Sequence, residues 1–323
     1  MKTSMLGNLG SVSRLTLGGG GIGQGWGETS REESAATLKA AVDAGINLID
    51  TAPMYLNCEE IFGETFQGAL PAHVKTTTKC QLGTPGRGRV AEILEASLTS
   101  SLAAMRVSRF DVFFLHSSLA PDDYAYARGD ERRDRFSTNW STYVDEVVPA
   151  FERLKAQGRI GAWGITGIGV PASVTAALDL PTKPDVVQVI TNLLDSAGGI
   201  RQFAEPAEPR AILAKAIDTG VVIMGIRAVQ AGALTLALDR STSPNHPETK
   251  DFERATPFRA LCAQWGEDPA VIAHRYALGM EGVSTLVLGV KNRDELSQAL
   301  GAEAAGPLET EQVMQIDQLG LRI

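Results

Sequence analysis

Eight short apolar runs, each followed by a segment with helical periodicity, constrain the fold of this chain more than any other feature. The runs are RLTL (14–17), INLID (46–50), VKTTTK (74–79), FDVFFLH (110–116), IGAWGIT (160–166), VVQVIT (186–191), VVIMGI (221–226) and STLVLG (284–289). Several are apolar nearly throughout, as strands buried on both faces of a parallel sheet are. No linker rich in Pro, Gly and Ser divides the chain. We therefore predict an α/β fold, a single (β/α)8 TIM barrel domain over residues 1–323.

Five of the intervening segments have the i, i+3, i+4 spacing of apolar residues that is typical of amphipathic helices. They are SREESAATLKAAVDAG, RVAEILEASLTSSLAAM, STYVDEVVPAFERLKAQG, PRAILAKAIDTG and PAVIAHRYALG. The first begins with Ser30 and has Glu33 three residues later, which predicts a capping box, and Gly45 ends it. Long loops are expected after strand 4 (117–141) and strand 7 (227–256). Both leave the carboxyl ends of strands, where barrels build their active sites.

A glycine-dense segment, LGGGGIGQGWG (17–27), raises the alternative of a doubly wound Rossmann fold. Gly18, Gly20 and Gly23 match G-x-G-x-x-G, and NLID (47–50) would supply the acidic residue required about 20 residues later. The Rossmann turn also needs a helix that opens inside the motif. The capped helix is predicted only from Ser30, so we interpret the match as a coincidence in a loop that leaves strand 1.

Charge and composition restrict the partners of the chain. Its formal net charge is −8 and its pI is near 5.2, which argues against nucleic acid and anionic membranes, because both attract basic surfaces. We find no signal-peptide core and no 18-residue apolar run. Cys58, Cys80 and Cys262 have neither a disulfide-framework pattern nor zinc-ligand spacing. We expect a cytoplasmic protein without a metal site, a monomer or a small homo-oligomer.

Four chemically matched residues stand at or just after successive predicted strand ends. Asp50 closes strand 2, Tyr55 follows it in the loop, Lys79 closes strand 3 and His116 closes strand 4. Each alone has an ordinary structural explanation, but in a barrel the four side chains converge on one pocket. A Lys ammonium lowers the pKa of a nearby Tyr from its usual value of about 10. Asp would hold the Lys, and His would orient a carbonyl oxygen, so the pattern indicates general acid–base chemistry.

These residues resemble the catalytic residues of the aldo-keto reductase family. NLIDTAPMY is similar to the family's strand-2 signature, TTTKC supplies its Lys, and FFLHSS its His. Further similar segments are YLNCEEIFG, RIGAWGIT, VVQVITNLL, MGIRAVQAGALT and HRYALGMEGVSTLVLGVKNRDEL, so the resemblance covers nearly the whole chain. It implies an enzyme that reduces an aldehyde or ketone with NADPH, or oxidises the corresponding alcohol or sugar, without a metal. Tyr55 would exchange the proton, tuned by Lys79 and Asp50, while His116 holds the oxygen.

The resemblance is less regular on the cofactor side. Thr166 and Gly167 replace a usual Ser-Asn pair, Thr191 replaces a Tyr, and Ile226 and Arg227 replace a stacking Tyr and a small residue. In the loop after strand 2, Cys58 and Leu56 replace a usual Ser and a common Gly. Arg227 would reach the pyrophosphate with its forked guanidinium. The implied cofactor contacts are Gly20, Gly21, Asp50, Thr166, Gln188, Ile226, Arg227, Gly289, Lys291, Asn292 and Glu295.

The segment GVKNRDEL (289–296) bears on the choice of dinucleotide. Lys291 and Asn292, together with Arg293, offer donors to a 2′-phosphate. Glu295 opposes them, because a like charge at about 4 Å costs roughly 1 to 4 kcal/mol. We expect NADP(H) as the cofactor, with tolerance of NAD(H).

Substrate identity is weakly encoded, and a sugar, an aliphatic or aromatic aldehyde, and a ketone all remain open. The residues expected to line the substrate pocket are Trp26, Met54, Tyr55, His116 and Trp140, with Tyr124 as an alternative to Trp140. The charged run ARGDERRDRF (127–136) is either solvated or a lid over the pocket. An NADP(H)-sensing binding protein with little turnover is the alternative function, and the complete set of four catalytic residues argues against it.

Overall fold

Eight parallel strands close into a barrel in the computed structural model, which describes residues 1–25, 27–126, 130–240 and 243–323. The strands are β1 (Leu15–Gly18), β2 (Leu48–Asp50), β3 (Lys75–Cys80), β4 (Phe110–Leu115), β5 (Ile160–Thr166), β6 (Val186–Ile190), β7 (Val222–Ile226) and β8 (Val283–Leu288). Each strand pairs with the next along the chain, and β8 pairs with β1. The predicted (β/α)8 barrel is confirmed, and the closed sheet excludes the doubly wound alternative.

Helices follow the strands and cover the outside of the barrel. They are α1 (Arg31–Asp43), α2 (Cys58–Phe66), α3 (Val90–Met105), α4 (Val148–Ala156), α5 (Pro171–Leu178), α6 (Pro209–Thr219), α7 (Pro269–Gly279) and α8 (Arg293–Ala305). A helical turn, Trp140–Thr142, and a π-helical segment, Tyr143–Val147, lead directly into α4. Thr310–Gln318 forms a final helix. Among the described ranges, no helix is long and apolar enough to cross a membrane.

The apolar runs are buried on both faces because the strands separate two cores. Along β4, Phe113 and Leu115 pack in the core between the strands and the helices. Val112 and Phe114 pack in a second core, inside the barrel. Each such side chain contributes roughly 1.5 to 3 kcal/mol by burial. An antiparallel hairpin of Thr3–Met5 and Ser11–Ser13 adds Leu6 and Val12 to the inner core.

The predicted start of α1 is confirmed at its N-cap, but only half of the predicted capping box forms. Ser30 Oγ accepts a hydrogen bond from the backbone N–H of Glu33 at 3.1 Å. The Glu33 carboxylate does not return this bond. It binds the Arg293 guanidinium instead, at 2.8 and 3.1 Å. The side chain predicted to cap its own helix therefore links α1 to α8.

The glycine segment after β1 forms one helical turn, Gly19–Ile22, where a loop was predicted. Glycine is required for close backbone approaches here. A Cβ on Gly21 would lie 2.2 Å from the Val290 carbonyl oxygen, and one on Gly23 would lie 1.8 Å from the Tyr55 carbonyl oxygen. The segment therefore packs the end of β1 against the loops that follow β2 and β8.

The long loops after β4 and β7 contain structure of their own. After β4, Ser118–Ala120 pairs in parallel with Ser137–Asn139, and the helix Asp130–Phe136 lies between them in sequence. After β7 come a short turn, Gln230–Gly232, and two helices, Pro247–Arg254 and Thr256–Trp265. Both loops extend from the carboxyl ends of the strands, on the side where the predicted catalytic residues meet.

Candidate active site

A cavity of about 710 Å³ opens at the carboxyl ends of the strands, and the four predicted catalytic residues meet there. Lys79 Nζ lies 2.5 Å from Asp50 Oδ2 and 4.7 Å from the centroid of the Tyr55 ring. The rings of Tyr55 and His116 meet edge to face, with centroids 5.6 Å apart. Asp50, Tyr55 and His116 line the cavity, and Lys79 is fully buried behind them.

Asp50 and Lys79 form an ion pair inside the barrel, and both carboxylate oxygens of Asp50 are bound. Oδ1 accepts from Thr77 Oγ1 at 2.6 Å and from Gln188 Nε2 at 2.7 Å. Lys79 Nζ also donates to the Thr51 carbonyl oxygen at 3.0 Å. Burial acts to lower the pKa of Lys79, but Asp50 and then Tyr55 raise it above its ordinary value. The Lys79 side chain therefore remains an ammonium.

Tyr55 is half-buried, and its pKa differs from the sequence-based expectation. Burial raises the pKa of the phenol, and the nearby Lys79 acts in the opposite direction without outweighing it. Lys79 does lower the pKa of Tyr55, as predicted. The prediction that the pKa would be lowered overall was wrong, because burial raises it by more. Tyr55 is therefore a neutral phenol with a proton to donate.

His116 is held neutral. Burial and then the charge of Lys79 lower its pKa to about 3. Its Nδ1 is buried and has no hydrogen-bond partner in the part of the chain that the structure describes. A neutral imidazole donates through one nitrogen only, so His116 can offer one N–H to an oxygen in the cavity without adding positive charge.

The cavity continues from these residues along the ends of β5 to β8. Its walls include Gly20, Asp50, Thr166, Gln188, Ile226, Arg227, Gly289, Lys291 and Glu295, all predicted cofactor contacts. Two predicted contacts lie elsewhere. Gly21 packs against the Val290 carbonyl, and Asn292 caps α8 by accepting from the Glu295 N–H at 2.9 Å. No group of three His, Cys, Asp or Glu side chains within the described ranges could hold a metal ion.

Arg227 lines the middle of the cavity, but its guanidinium is already bound. It donates to Gln230 Oε1 at 2.8 Å and to Glu248 Oε1 at 3.3 Å. Burial lowers the pKa of Arg227, although Glu248 opposes this effect. Its backbone has a φ of 61°, in the left-handed region. The loop after β7 therefore holds this cation in a fixed position.

The far end of the cavity, beside α8, pairs each expected phosphate-binding cation with a carboxylate. Lys291 Nζ donates to Glu295 Oε1 and to Asp239 Oδ2, the second at 2.9 Å. Arg293 is bound to Glu33 of α1. Burial acts to lower the pKa of Lys291, but these two carboxylates raise it. The lysine is charged and bound on two sides by negative groups.

The end of the cavity that is expected to hold the substrate differs from the prediction at one aromatic residue. Met54, Tyr55 and His116 line the cavity as expected. The expectation for Trp140 was wrong, because its ring packs against Tyr143, with centroids 5.8 Å apart, and not on the cavity wall. The alternative, Tyr124, is bound to Glu205 at 2.7 Å and does not line the cavity either. Trp26 lies outside the described residues.

Sequence reasoning missed several residues that line the cavity. They are Gln81, Ser118, Arg132, Phe136, Ile168, Ile200, Gln202 and Leu236. Gln81 follows Lys79 by two positions, so strand alternation could have placed it on the same face. Arg132 and Phe136 belong to the described part of the charged run, and these two residues border the cavity. Gln202 gave no signal in sequence, since it lies in an irregular loop after β6.

Comparison with known proteins agrees with this geometry. A family model described as the Aldo/keto reductase family matches residues 14–320. The chain is 24% identical over 303 residues to the L-galactose dehydrogenase of Arabidopsis thaliana, covering 92% of this chain and 86% of that protein. It is 25% identical over 322 residues to the NADH-specific methylglyoxal reductase of Escherichia coli (strain K12), covering 90% of each.

A similar fold occurs in the glycerol dehydrogenase AKR11B4 from Gluconobacter oxydans. The two structures superpose with a TM-score of 0.72 at 22% identity, over 98% of this chain and 94% of that one. The fold, the matched span and the arrangement at the strand ends lead to one assignment. The chain belongs to the aldo/keto reductase family of oxidoreductases.

Proposed function

We propose that this protein is a nicotinamide-dependent oxidoreductase that reduces an aldehyde or ketone, or oxidises the corresponding alcohol or sugar. The observation that carries the proposal is the buried ion pair of Lys79 and Asp50 directly beside Tyr55 and His116 at the cavity wall. A buried charge pair of this kind is expensive to desolvate. The pair lies beside the phenol of Tyr55, where the Lys79 ammonium can stabilise a phenolate.

The cavity suits a nicotinamide dinucleotide. Its volume of about 710 Å³ lies within the range of small-molecule sites. The apolar side chain of Ile226 stands near the polar cluster, and the guanidinium of Arg227 follows it along the wall. When bound, this cofactor supplies or accepts the hydride, and the protein contributes orientation and electrostatics.

In the reduction, Tyr55 donates its phenolic proton to the carbonyl oxygen as the carbonyl carbon becomes an alcohol carbon. The Lys79 ammonium stabilises the phenolate that remains, and Asp50 fixes the position of that ammonium. Neutral His116 donates one N–H to the same oxygen. In the oxidation, the Tyr55 phenolate takes the alcohol proton. General acid–base help of this kind contributes roughly 100-fold to 10,000-fold.

Two finer features are part of the proposal. The expected use of NADP(H) depended on Lys291 and Asn292, together with Arg293, as donors. Lys291 and Arg293 are engaged by carboxylates and Asn292 caps α8, so we keep NAD(H) beside NADP(H) as a cofactor. One relative named above is an NADH-specific reductase. For the substrate we propose a hydroxylated carbonyl compound. Gln81 and Ser118 line that end of the cavity, and Gln202 Oε1 is buried there without a partner among the described residues.

The test is a panel of aldehydes, ketones and sugars with NADH and NADPH, followed by cofactor absorbance. Tyr55→Phe should lower turnover by about 100-fold or more, while dinucleotide affinity is retained. Tyr124→Phe is the matched control, because its hydroxyl binds Glu205 outside the cavity. Retained turnover in Tyr55→Phe would refute the mechanism. Tight dinucleotide binding without turnover in the wild-type protein would identify a sensor instead.

A further inference from the structure

We infer that the far end of the cavity selects NAD(H) over NADP(H), and that Glu295 is the residue that determines this specificity. The inference rests on the proposed function, since it requires a nicotinamide dinucleotide in the cavity. The cavity is continuous from Tyr55 to Lys291 and Glu295. Because the nicotinamide must meet the reacting atoms beside Tyr55, the adenosine half extends toward the opposite end. The ribose 2′ position therefore faces the start of α8.

Three backbone donors at the start of α8, the kind of group that binds phosphate at helix N-termini, are already taken. The Lys291 N–H donates to Glu295 Oε2 at 3.0 Å, and the Arg293 N–H donates to Glu33 Oε1 at 2.9 Å. The Glu295 N–H donates to Asn292 Oδ1. Two carboxylates of the protein thus occupy the positions where a helix N-terminus attracts an anion. A 2′-phosphate would have to displace them.

The cations of this region are committed to the same carboxylates. Glu295 is held by two bonds, one from the Lys291 backbone and one from the Lys291 ammonium, so its position is fixed. Asp239 accepts a second hydrogen bond from the Lys291 ammonium. Arg293 and Glu33 form a two-pronged pair, and Arg293 lowers the pKa of Glu33 to about 2, which keeps the pair ionised.

The remaining groups on this wall favour a hydroxyl over a phosphate. Asp239, Asp268 and Glu295 line it, and the two cations beside them, Lys291 and Arg240, are each paired with carboxylates. His274 lines it as well. Its Nδ1 lies 2.8 Å from the Ala270 carbonyl oxygen, and burial lowers its pKa. A neutral His274 that donates through Nδ1 presents Nε2 as an acceptor.

A 2′-hydroxyl can donate to such acceptors. A 2′-phosphate would bring a charge of about −1.5 to −2 toward them. The wall of this cavity end is therefore complementary to the ribose of NAD(H) and repels that of NADP(H).

The experiment measures dissociation constants of NADH and NADPH for the protein without substrate, by fluorescence or calorimetry at one fixed ionic strength. Wild-type protein should bind NADH about tenfold or more tightly than NADPH. Glu295→Gln removes the negative charge and leaves Lys291 paired with one carboxylate, that of Asp239, instead of two. We expect this variant to reduce the NADH-to-NADPH affinity ratio by about fivefold or more. Asp294→Asn is the matched control, since it removes the same charge from the same helical turn but does not line the cavity.

Calorimetric titration with 5′-AMP and adenosine 2′,5′-bisphosphate tests the adenosine end without the nicotinamide, and needs no variant. Tighter binding of 5′-AMP supports the inference. Equal or tighter binding of NADPH than NADH by the wild type would overturn it, as would an unchanged ratio in folded Glu295→Gln. If the wild type binds neither dinucleotide, the proposed function itself fails and the inference falls with it. Turnover without discrimination between the two cofactors would refute only the inference.

Discussion

Replacement of Asp50 by Asn tests the most deeply buried charge pair of the site. The variant keeps the size of the side chain but removes the charge opposite Lys79, whose side chain is fully buried. Asp50 accepts hydrogen bonds from Lys79, Thr77 and Gln188 with two oxygens. Asn has only one side-chain oxygen, so it cannot replace all of these bonds. Breaking a buried ion pair on one side typically costs 3 to 5 kcal/mol. We expect the free energy of unfolding to fall by about that amount at neutral pH.

The loss of stability in Asp50→Asn should depend on pH, and the pKa of Lys79 determines the direction of that dependence. In the wild type the pKa of Lys79 is raised, so its contribution to stability is fully present below the unfolded pKa of about 10.5 and is lost only as pH rises through the folded pKa. Without Asp50, burial dominates and lowers the Lys79 pKa. The folded variant then binds fewer protons than the unfolded chain, so its stability should rise as pH increases from about 7 to 9.

Urea denaturation at several pH values, followed by circular dichroism, measures both effects. Asp185→Asn is the control, because Asp185 pairs with Lys155 in a partly exposed ion pair, with about a third of each side chain accessible. Such a pair contributes about 0 to 1 kcal/mol. A loss in Asp50→Asn no larger than in the control, or stability that does not recover at higher pH, would refute the assignment of a buried, charged Lys79.

Three further predictions concern single groups. Gly23→Ala should destabilise the protein and lower turnover, because the added Cβ would lie 1.8 Å from the Tyr55 carbonyl oxygen. Thermal unfolding and steady-state kinetics of the variant measure the two effects. A variant with wild-type stability and turnover would contradict the prediction. Burial raises the pKa of Glu59, although Thr78 donates a hydrogen bond to its carboxylate. Ionisation of Glu59 therefore lowers the stability of the folded protein as pH rises above the pKa that Glu59 has in the unfolded chain. Glu59→Gln should therefore gain more stability relative to wild type at about pH 8 than at about pH 4, and denaturation at the two pH values checks the sign. The pKa of His116 is about 3, so a pH–rate profile should show no protonation step of this residue between about pH 5 and 7, and a step that disappears in His116→Gln would refute its neutral state.

The fold, and the meeting of the four candidate catalytic side chains, could be predicted from the sequence because their signals are local. Each strand is a short apolar run, and burial on both faces makes that run apolar nearly throughout. Asp50 and Lys79 stand at strand ends, and barrel geometry brings strand ends together. The prediction of one domain over residues 1–323 stays a prediction, as do the oligomeric state and the cytoplasmic location.

The ion pairing at the far end of the cavity could not be predicted in full, because two of its pairs join distant parts of the chain. Lys291 pairs with Asp239, 52 residues away, and Arg293 with Glu33, 260 residues away. In sequence, both cations look available to a phosphate. The prediction of a lowered pKa for Tyr55 was wrong for a related reason. The effect of a neighbouring Lys follows from residue types, but the opposing effect of burial depends on the folded walls around the phenol.

Trp140 and the glycine turn show two other limits. Trp140 lies in the loop expected to border the pocket, but it begins the helical segment that leads into α4 and turns toward Tyr143. The turn Gly19–Ile22 contains three of the residues least favourable to a helix. Contacts with Val290 and Tyr55, from other loops, compensate for that poor local preference.

The pairing of β8 with β1 is a seam between the two ends of the chain. Thr16 and Thr285 share a buried hydroxyl hydrogen bond across it, at 2.7 Å, and Gly21 meets Val290 at its edge. A nascent chain that has not yet made β8 already contains Asp50, Tyr55, Lys79 and His116. It lacks Leu288, Gly289 and Lys291, which line one side of the cavity. Under the proposed function, such a half-made molecule would carry the candidate catalytic side chains before it had the wall that we expect to hold the adenosine end of the dinucleotide.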